Sequence, residues 1–450
     1  MNVKERIEQY KNEMKLDLGK LVSFNSVFEN PCEEYPFGKV NADCLEVALK
    51  MVEKCGMKPV NLDNYCGYGE IGEGEQVIGI LGHLDIVPAG EGWNTDPFLL
   101  TEFDGKVYGR GVSDDKGAVV ASAYAIRILN DMGVKFNKRV RLIMGCNEET
   151  GSKCLKHYVE KEGHIDYGFT PDATFPGVFG EKGMVAGIFK SKNTNIINMN
   201  GGTVSNAVCN HCISEIPANS CDVEVLKAYF ESQNMKATIT KGETIVLDIW
   251  GTAAHASMPE LGVNAISHTM RALEKAGFED EFVEFYNDKI GLGVHGENCD
   301  CDFKDDYGPL TFNNGVMKTE NGVITGTIDI RFPVTMKSKD IIDALTKGFE
   351  SELGELVVFG GAEPLFYPKD SDLVKSLVKA YRDVTGDMES EPETMGGGTY
   401  AKGINNCIAF GCEFGMEDNH IHDANEVLSL DQFWLQVEIY IEAIKNLLAL

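Results

Sequence analysis

The sequence is poor in basic side chains and has no long apolar segment. Lys and Arg number 41 against 70 Asp and Glu, which gives a formal charge of −29. Nucleic acids and anionic membranes are bound through basic surfaces, so this balance argues against both as partners. No run of about 18 apolar residues occurs, so we expect no membrane-spanning helix. The acidic excess is typical of a solubilising surface, and part of it would be offset by cations in a metal site.

Paired Cys-x-x-Cys motifs and an apolar leader are also lacking. The 13 cysteines are scattered, and the first twenty residues form a charged amphipathic stretch. Reduced thiols in a cytoplasmic protein fit this pattern best. Cys209, Cys212 and Cys221 lie close together around His211, which leaves a zinc knot as the alternative to free thiols.

The periodicity of apolar residues predicts two domains. A chain of 450 residues exceeds one ordinary domain. Strands alternate with helices near both ends, including a helix predicted at Asp372 to Thr385, which favours an α/β layer with a parallel or mixed sheet. The middle contains alternating strands, such as Thr244 to Trp250, and a helix predicted at Gly262 to Ala276, which favours an inserted α+β domain. We place the first part of the α/β domain at 1–181, the insertion at 182–370 and the second part at 371–450.

Acidic and histidine motifs follow predicted strands or open a predicted helix, where α/β proteins hold their sites. Taken singly, each motif could be a helix cap or a solvated turn. Adjacent carboxylates at the end of a strand, however, repel each other unless a cation or a proton holds them. Together, these hard and borderline ligands suit zinc, or manganese and cobalt in vitro. The motifs are Gly82-His83-Leu84-Asp85, Gly109 to Gly117 with Asp114 and Asp115, Asn147 to Ser152 with Glu148 and Glu149, Pro171-Asp172, and His420 to Glu426.

Three stretches resemble a known family. Residues 81–93, 108–117 and 395–400 are similar to the co-catalytic zinc peptidases that include aminoacylases, glutamate carboxypeptidases and dipeptidases. The closest resemblance is to the bacterial dipeptidase V type, the carnosinase-like Xaa-His dipeptidases, and it covers nearly the whole chain. It implies an α/β catalytic domain with a mixed sheet flanked by helices, interrupted by an inserted α+β lid domain. It also implies zinc-dependent hydrolysis of dipeptides.

The resemblance further implies two zinc ions per chain, replaceable by manganese or cobalt. Asp114 would bridge the ions and be followed by a cis peptide bond, while Asp85 would orient His83. Glu148 would be the general acid and base. The implied metal ligands are His83, Asp114, Glu149, Asp172 and His422.

Substrate-facing residues are implied in the lid and in a glycine-rich loop. His255 would donate to the oxyanion, and Arg331 would bind the substrate's carboxylate in a bidentate fork; the alternatives are a core histidine and a surface ion pair. Asn206 would touch substrate, although the residues that follow it depart from the family. Gly397 and Gly398 would line the substrate site. The large lid implies a monomer.

Two other functions remain open from the sequence. An amidohydrolase of N-acyl amino acids would use the same chemistry and differ in its need for a free amine. A non-catalytic peptide-binding relative would lack metal ligands, and none of the expected ligands is missing.

Overall fold

The computed structural model describes residues 2–415 and 419–450. The chain forms two compact units, with Met1–Gly180, Tyr367–Glu393 and Gly398–Leu450 in the first and Glu181–Phe366 and Thr394–Gly397 in the second. Across the described residues, no helix has the length and apolar character needed to cross a membrane.

The chain enters the first unit through two helices. The helix at the start is fixed by a capping box, in which the Asn2 side chain accepts from Glu5 N and the Glu5 side chain accepts from Asn2 N. The elements of this segment are α1 (Val3–Val22), α2 (Lys39–Lys54), β1 (Lys58–Leu62), β2 (Cys66–Ile71), β3 (Val77–His83), β4 (Thr101–Phe103), β5 (Lys106–Tyr108), α3 (Lys116–Asp131), β6 (Arg139–Gly145), α4 (Lys153–Glu162), β7 (Tyr167–Thr170), β8 (Ala173–Thr174) and β9 (Val178–Glu181).

The middle of the chain is richer in long strands. Short 3₁₀ turns lie at Pro259–Leu261 and Glu297–Cys299. The elements are β10 (Gly183–Ser191), β11 (Asn198–Gly201), β12 (His211–Pro217), α5 (Val223–Ser232), β13 (Lys236–Lys241), β14 (Thr244–Trp250), α6 (Ala265–Lys275), α7 (Glu281–Lys289), β15 (Lys304–Asp305), β16 (Gly308–Pro309), β17 (Thr311–Asn313), β18 (Met317–Glu320), β19 (Val323–Phe332), α8 (Ser338–Gly348), β20 (Gly354–Ala362) and β21 (Leu365–Phe366).

The last part of the chain returns to the first unit and ends in a long helix. A 3₁₀ turn spans Tyr400–Gly403. The elements are α9 (Asp372–Thr385), β22 (Glu393–Met395), β23 (Cys407–Ala409), β24 (Cys412–Glu413), β25 (Val427–Ser429) and α10 (Leu430–Ala449).

The main sheet of the first unit is mixed, and its strands run in the order β1-β2-β6-β3-β7-β23-β9. Strand β3 is buried along its whole length and pairs in parallel with β6 and β7, while β23 pairs in parallel with β7. The carboxyl ends of β3, β6 and β7 therefore share one edge of the sheet. The predicted α/β class is confirmed, and three of the predicted motifs follow strands at this edge.

Neighbouring strands in the sheet of the second unit pair antiparallel, in the order β13-β14-β12-β11-β18-β19-β10-β20. Burial alternates along β12 and β14, so one face of these strands contributes to a core that includes side chains of the helices. The helix predicted from Gly262 begins instead at Ala265, because the Asn264 side chain accepts from the backbone N–H groups of Ile266 and Ser267.

Candidate active site

Two histidines flank the carboxylate of Asp114. His83 is the last residue of β3, and its Nε2 lies 2.8 Å from Asp114 Oδ1. The other carboxylate oxygen, Oδ2, lies 2.9 Å from Nε2 of His422, which in turn lies 3.3 Å from Glu149 Oε2. Asp114 therefore occupies the middle of a continuous line of ligand-type atoms, as a bridging carboxylate requires.

Two overlapping groups of side chains in the described part of the chain are able to hold a metal ion. One consists of His83, Asp114 and Glu149, and the other of His83, Glu148 and Asp172. Within each group the ligand atoms all lie within 4.8 Å of one another. The structure thus brings the predicted ligands together, and it also places Glu148 within reach of a ligand position.

Several carboxylates lie close together in the candidate site. Burial, reinforced by neighbouring negative charges, raises the pKa of Glu148 to about 8 and that of Asp172 well above its ordinary value. Burial opposes ionisation of Asp114 too, but hydrogen bonds with His422 and His83 hold the pKa of Asp114 below its ordinary value. Glu149 Oε1 is buried without a hydrogen-bond partner. This excess of negative charge and the unpartnered oxygen fit bound divalent cations.

The carboxylates of the candidate site also favour the protonated form of His422. His422 is close to both Asp114 and Glu149, and these contacts raise the pKa of His422 to about 10. Its side chain is 54% exposed, in contrast to the buried His83. One side of the candidate site is therefore open to solvent.

Asp85 holds the backbone of the two glutamates. Its Oδ1 and Oδ2 accept from the N–H groups of Glu148 and Glu149, at 3.0 and 3.1 Å. The Nδ1 of His83 lies 3.0 Å from the main-chain carbonyl of Asp85 but 3.6 Å from its carboxylate. The His83 ring is therefore closer to the main-chain carbonyl of Asp85 than to its carboxylate. Both oxygens of that carboxylate accept from the backbone at Glu148 and Glu149 instead.

The peptide bond between Asp114 and Asp115 is cis, as the resemblance implied. The prediction of a cis bond at this position is therefore confirmed. Beside it, Asp115 Oδ2 accepts from the N–H of His83 at 3.1 Å, which connects the start of α3 to the end of β3.

In the second unit, the structure brings Asn206 and His255 together. Ala207 and His255 form an antiparallel bridge. Two backbone hydrogen bonds flank the bridge, from Val208 N to Ala254 O at 2.8 Å and from Ala256 N to Asn206 O at 2.9 Å. The side chains of both predicted substrate residues are exposed.

Arg331 is already paired with a carboxylate. Its Nε and Nη2 donate to Oδ1 and Oδ2 of Asp329, at 2.7 and 3.0 Å, and its Nη1 donates to Gly396 O at 3.3 Å. The Nε and Nη2 side of the guanidinium is thus occupied by Asp329, and one hydrogen each on Nη1 and Nη2 is left for the predicted contact with a substrate.

The two glycines predicted to line the substrate site fall in different units. Gly397 belongs to the second unit, and the exposed Gly398 belongs to the first.

The match to known families decides what kind of protein this is. The model of peptidase family M20/M25/M40 matches residues 79–446, which is most of the chain. The chain belongs to this family. It is therefore an enzyme, a metallopeptidase, and the resemblance in its motifs is confirmed.

Curated relatives of this M20/M25/M40 peptidase match along the whole length. One from Staphylococcus haemolyticus, named "Putative dipeptidase", is 34% identical over 99% of both chains. "Putative dipeptidase YtjP" of Bacillus subtilis is 33% identical over 99% of this chain and 100% of the relative. Human carnosine dipeptidase 1 has a similar structure, with a TM-score of 0.61, 18% identity and coverage of 100% and 98% of the two chains. That likeness shows the shared fold.

The sequence motifs of this M20/M25/M40 peptidase did not reveal the partners of the residues predicted to face the substrate. Asp329 stands two positions before Arg331 on β19, and side chains at that spacing lie on the same face of a strand. This spacing is a signal from which the ion pair could have been predicted. Among the described residues, the groups able to hold a metal ion do not include Cys209, Cys212 or Cys221, and these cysteines are free thiols.

Proposed function

We propose that this M20/M25/M40 peptidase hydrolyses the peptide bond of dipeptides with a pair of zinc ions. The observation that carries the proposal is the convergence of six side chains at one edge of the first unit's sheet: His83, Asp114, Glu148, Glu149, Asp172 and His422. Full-length relatives named as dipeptidases support the choice of substrate.

The ligand set fits zinc. Imidazole nitrogens and carboxylate oxygens are ligands that zinc accepts, and manganese or cobalt could replace it. His83 and Asp172 would hold one ion, Glu149 and His422 the other, and Asp114 both. When bound, the ions supply polarisation of the scissile carbonyl and a lower pKa for water.

Glu148 is the proton carrier in this proposal. Its carboxylate takes a proton from the attacking water and delivers it to the leaving nitrogen. The Asp85 carboxylate fixes the backbone of Glu148 and so helps to set where that carboxylate stands. The carboxylate of Glu148 lies within 4.8 Å of ligand atoms of His83 and Asp172, which would hold one of the ions.

The substrate is bound and oriented by His255, Arg331 and Asn206 of the second unit and by the Gly397-Gly398 loop. His255 donates a hydrogen bond to the developing oxyanion. Arg331, held by Asp329, binds the substrate's terminal carboxylate through its remaining Nη1 and Nη2 hydrogens. Asn206 lies next to His255 along the paired backbone and adds a polar contact, and the Gly397-Gly398 backbone lines the site.

Reduced thiols and the acidic surface support a cytoplasmic monomer. The described cysteines form no disulfide bonds, and most of them are buried. Thiols persist in a reducing compartment. The second unit, which we propose to be the lid, would supply His255 and Arg331 within the same chain.

Metal removal and reloading test the proposed function. Chelator-treated enzyme should lose hydrolysis, and added zinc should restore it. Reloaded enzyme should release amino acids from free dipeptides faster than from N-acetylated dipeptides, because a dipeptidase prefers the free amine. Asp172→Asn should remain inactive after reloading. The matched control is Asp63→Asn, which removes a surface carboxylate paired with His157 and Lys161 and should leave activity intact.

Two outcomes would contradict the proposal. Preferential cleavage of N-acyl amino acids would assign the chain to the amidohydrolases of the same chemistry. If the zinc-loaded enzyme cleaved no member of a dipeptide library, dipeptide hydrolysis would be excluded as its function.

A further inference from the structure

Glu426 is a fully buried carboxylate surrounded by donors. Its Oε2 accepts from Arg110 Nη1 at 2.7 Å and from Gly111 N at 2.9 Å. Its Oε1 accepts from Ser113 N at 2.8 Å and from Asp114 N at 3.1 Å. Every strong contact of this side chain thus reaches the segment that ends in the bridging carboxylate.

Arg110 connects the same segment to the loop that carries His422. Arg110 is 1% exposed, and its Nη2 donates to the carbonyls of Asp423 at 3.1 Å and Ala89 at 3.4 Å. Its central carbon lies 5.3 Å from the centroid of the Trp93 ring. Asp423 directly follows His422, so one side chain contacts both Glu426 and the residue next to a metal ligand.

The backbone supports this connection at neighbouring positions. Gly109 N donates to Glu426 O at 3.2 Å, and Ser113 Oγ donates to Val427 O at 2.8 Å. Gly111 has a φ of +88°, a conformation that lets consecutive N–H groups turn towards a carboxylate. Residues 109–114 and 423–427 are therefore joined by side-chain and main-chain bonds.

We infer that Arg110 and Glu426 form a buried ion pair that positions Asp114 against His422 and so sets the affinity of the metal ion held by Asp114, Glu149 and His422. The inference rests on the proposed two-metal function. Neither residue belongs to the proposed metal ligands or to the residues proposed to bind the substrate. They are positioning residues, which act through the backbone of Asp114 and of the His422 loop.

Glu426→Gln tests the pair while preserving its shape. The glutamine amide would place its own N–H groups against backbone donors, so the support of Asp114 would be lost. Changes in such supporting residues typically cost about 10–100-fold in metal affinity. Titration with zinc against a competing chelator should show that much weakening for one of two ions. The cobalt-loaded variant should show a changed visible absorption spectrum.

A second ion pair, which is partly buried, provides the matched control. Arg141 on β6 donates to Glu70 on β2 at 2.6 Å in the same unit, and both residues lie outside segments 109–114 and 423–427. Glu70→Gln should lower the thermal unfolding midpoint but keep both metal affinities and the cobalt spectrum. Arg110→Lys is the second test variant, because an ammonium keeps the charge but does not span Glu426 and Asp423 O together. It should weaken the same ion as Glu426→Gln does.

Three results separate the possibilities. Folded Glu426→Gln and Arg110→Lys proteins that bind both ions with wild-type affinity would overturn the inference. Equal weakening in Glu70→Gln would also overturn it, because general destabilisation would then explain the loss. A wild-type chain that binds no zinc would instead overturn the proposed function.

Discussion

Glu148 and Glu149 share one turn but belong to different groups of side chains. Glu149 is grouped with His83 and Asp114 and lies near His422, while Glu148 is grouped with His83 and Asp172. Because Glu148 also stands within reach of a ligand position, its carboxylate could serve as proton carrier or as ligand. The two roles differ in their effect on metal content.

Replacing each glutamate by glutamine separates these roles. Glu148→Gln should lower kcat by about 10²–10⁴-fold, the usual contribution of a proton-transfer group, and keep two metal ions per chain. Glu149→Gln should lose one ion. Steady-state kinetics and elemental analysis of the purified proteins provide the measurements. Loss of an ion from Glu148→Gln would make Glu148 a ligand, and near wild-type turnover would exclude it as the base.

At the scale of elements, strand β17 supports the segment that carries the proposed oxyanion donor. Asn313 is 2% exposed, and its Nδ2 donates to the carbonyls of Ser205 and Ala207, both at 3.0 Å. Ala207 bridges His255, and Asn313 itself pairs with Asp329 on β19. One buried amide therefore links the His255 segment to the strand that carries Arg331.

Removal of this amide should impair catalysis without loss of metal. Asn313→Ala removes the donor that holds the carbonyls of Ser205 and Ala207, so the segment that pairs with His255 would be less firmly fixed. We expect kcat/KM for a dipeptide to fall by about 10-fold or more while metal content stays at the wild-type level. Asn200→Ala, an exposed asparagine on β11, is the control. Unchanged kinetics in a folded Asn313→Ala protein would refute the supporting role.

In the whole molecule, one chain contains every residue to which we assign a role. The proposed metal ligands belong to the first unit, and His255 and Arg331 belong to the second. A single chain would then form a complete site. We also expect tripeptides to be poorer substrates than dipeptides, because the proposed lid limits substrate length.

Mixing two inactive variants tests the single-chain site. His255→Ala and Glu148→Gln remove different parts, so a site shared between chains would recover activity on mixing. We expect no recovery, together with a monomer mass by analytical ultracentrifugation. Each variant mixed with wild type serves as the control and should leave the wild-type rate unchanged. Recovered activity in the mixture of the two variants would exclude the monomeric arrangement.

Local sequence was sufficient for several elements. The helix at Asp372–Thr385 and the strand at Thr244–Trp250 have the predicted bounds. Both have strong periodicity, and Ser371 caps the helix by accepting from Val374 N. The strand order β6-β3-β7-β23 could not be predicted from local sequence. The periodicity of a strand shows which of its faces is buried, but it does not show which strand pairs with it.

The sequence by itself determined the chemistry of the site and the family. The ligand types lie in short motifs at strand ends, where neighbours in sequence are neighbours in space. Only the tertiary structure decided how those ligands are supported. Arg110 and Glu426 are separated by 316 positions, and Asp85 by 63 from the Glu148 backbone that its carboxylate binds. Contacts of such range depend on how the sheet and loops pack, and no local spacing encodes them.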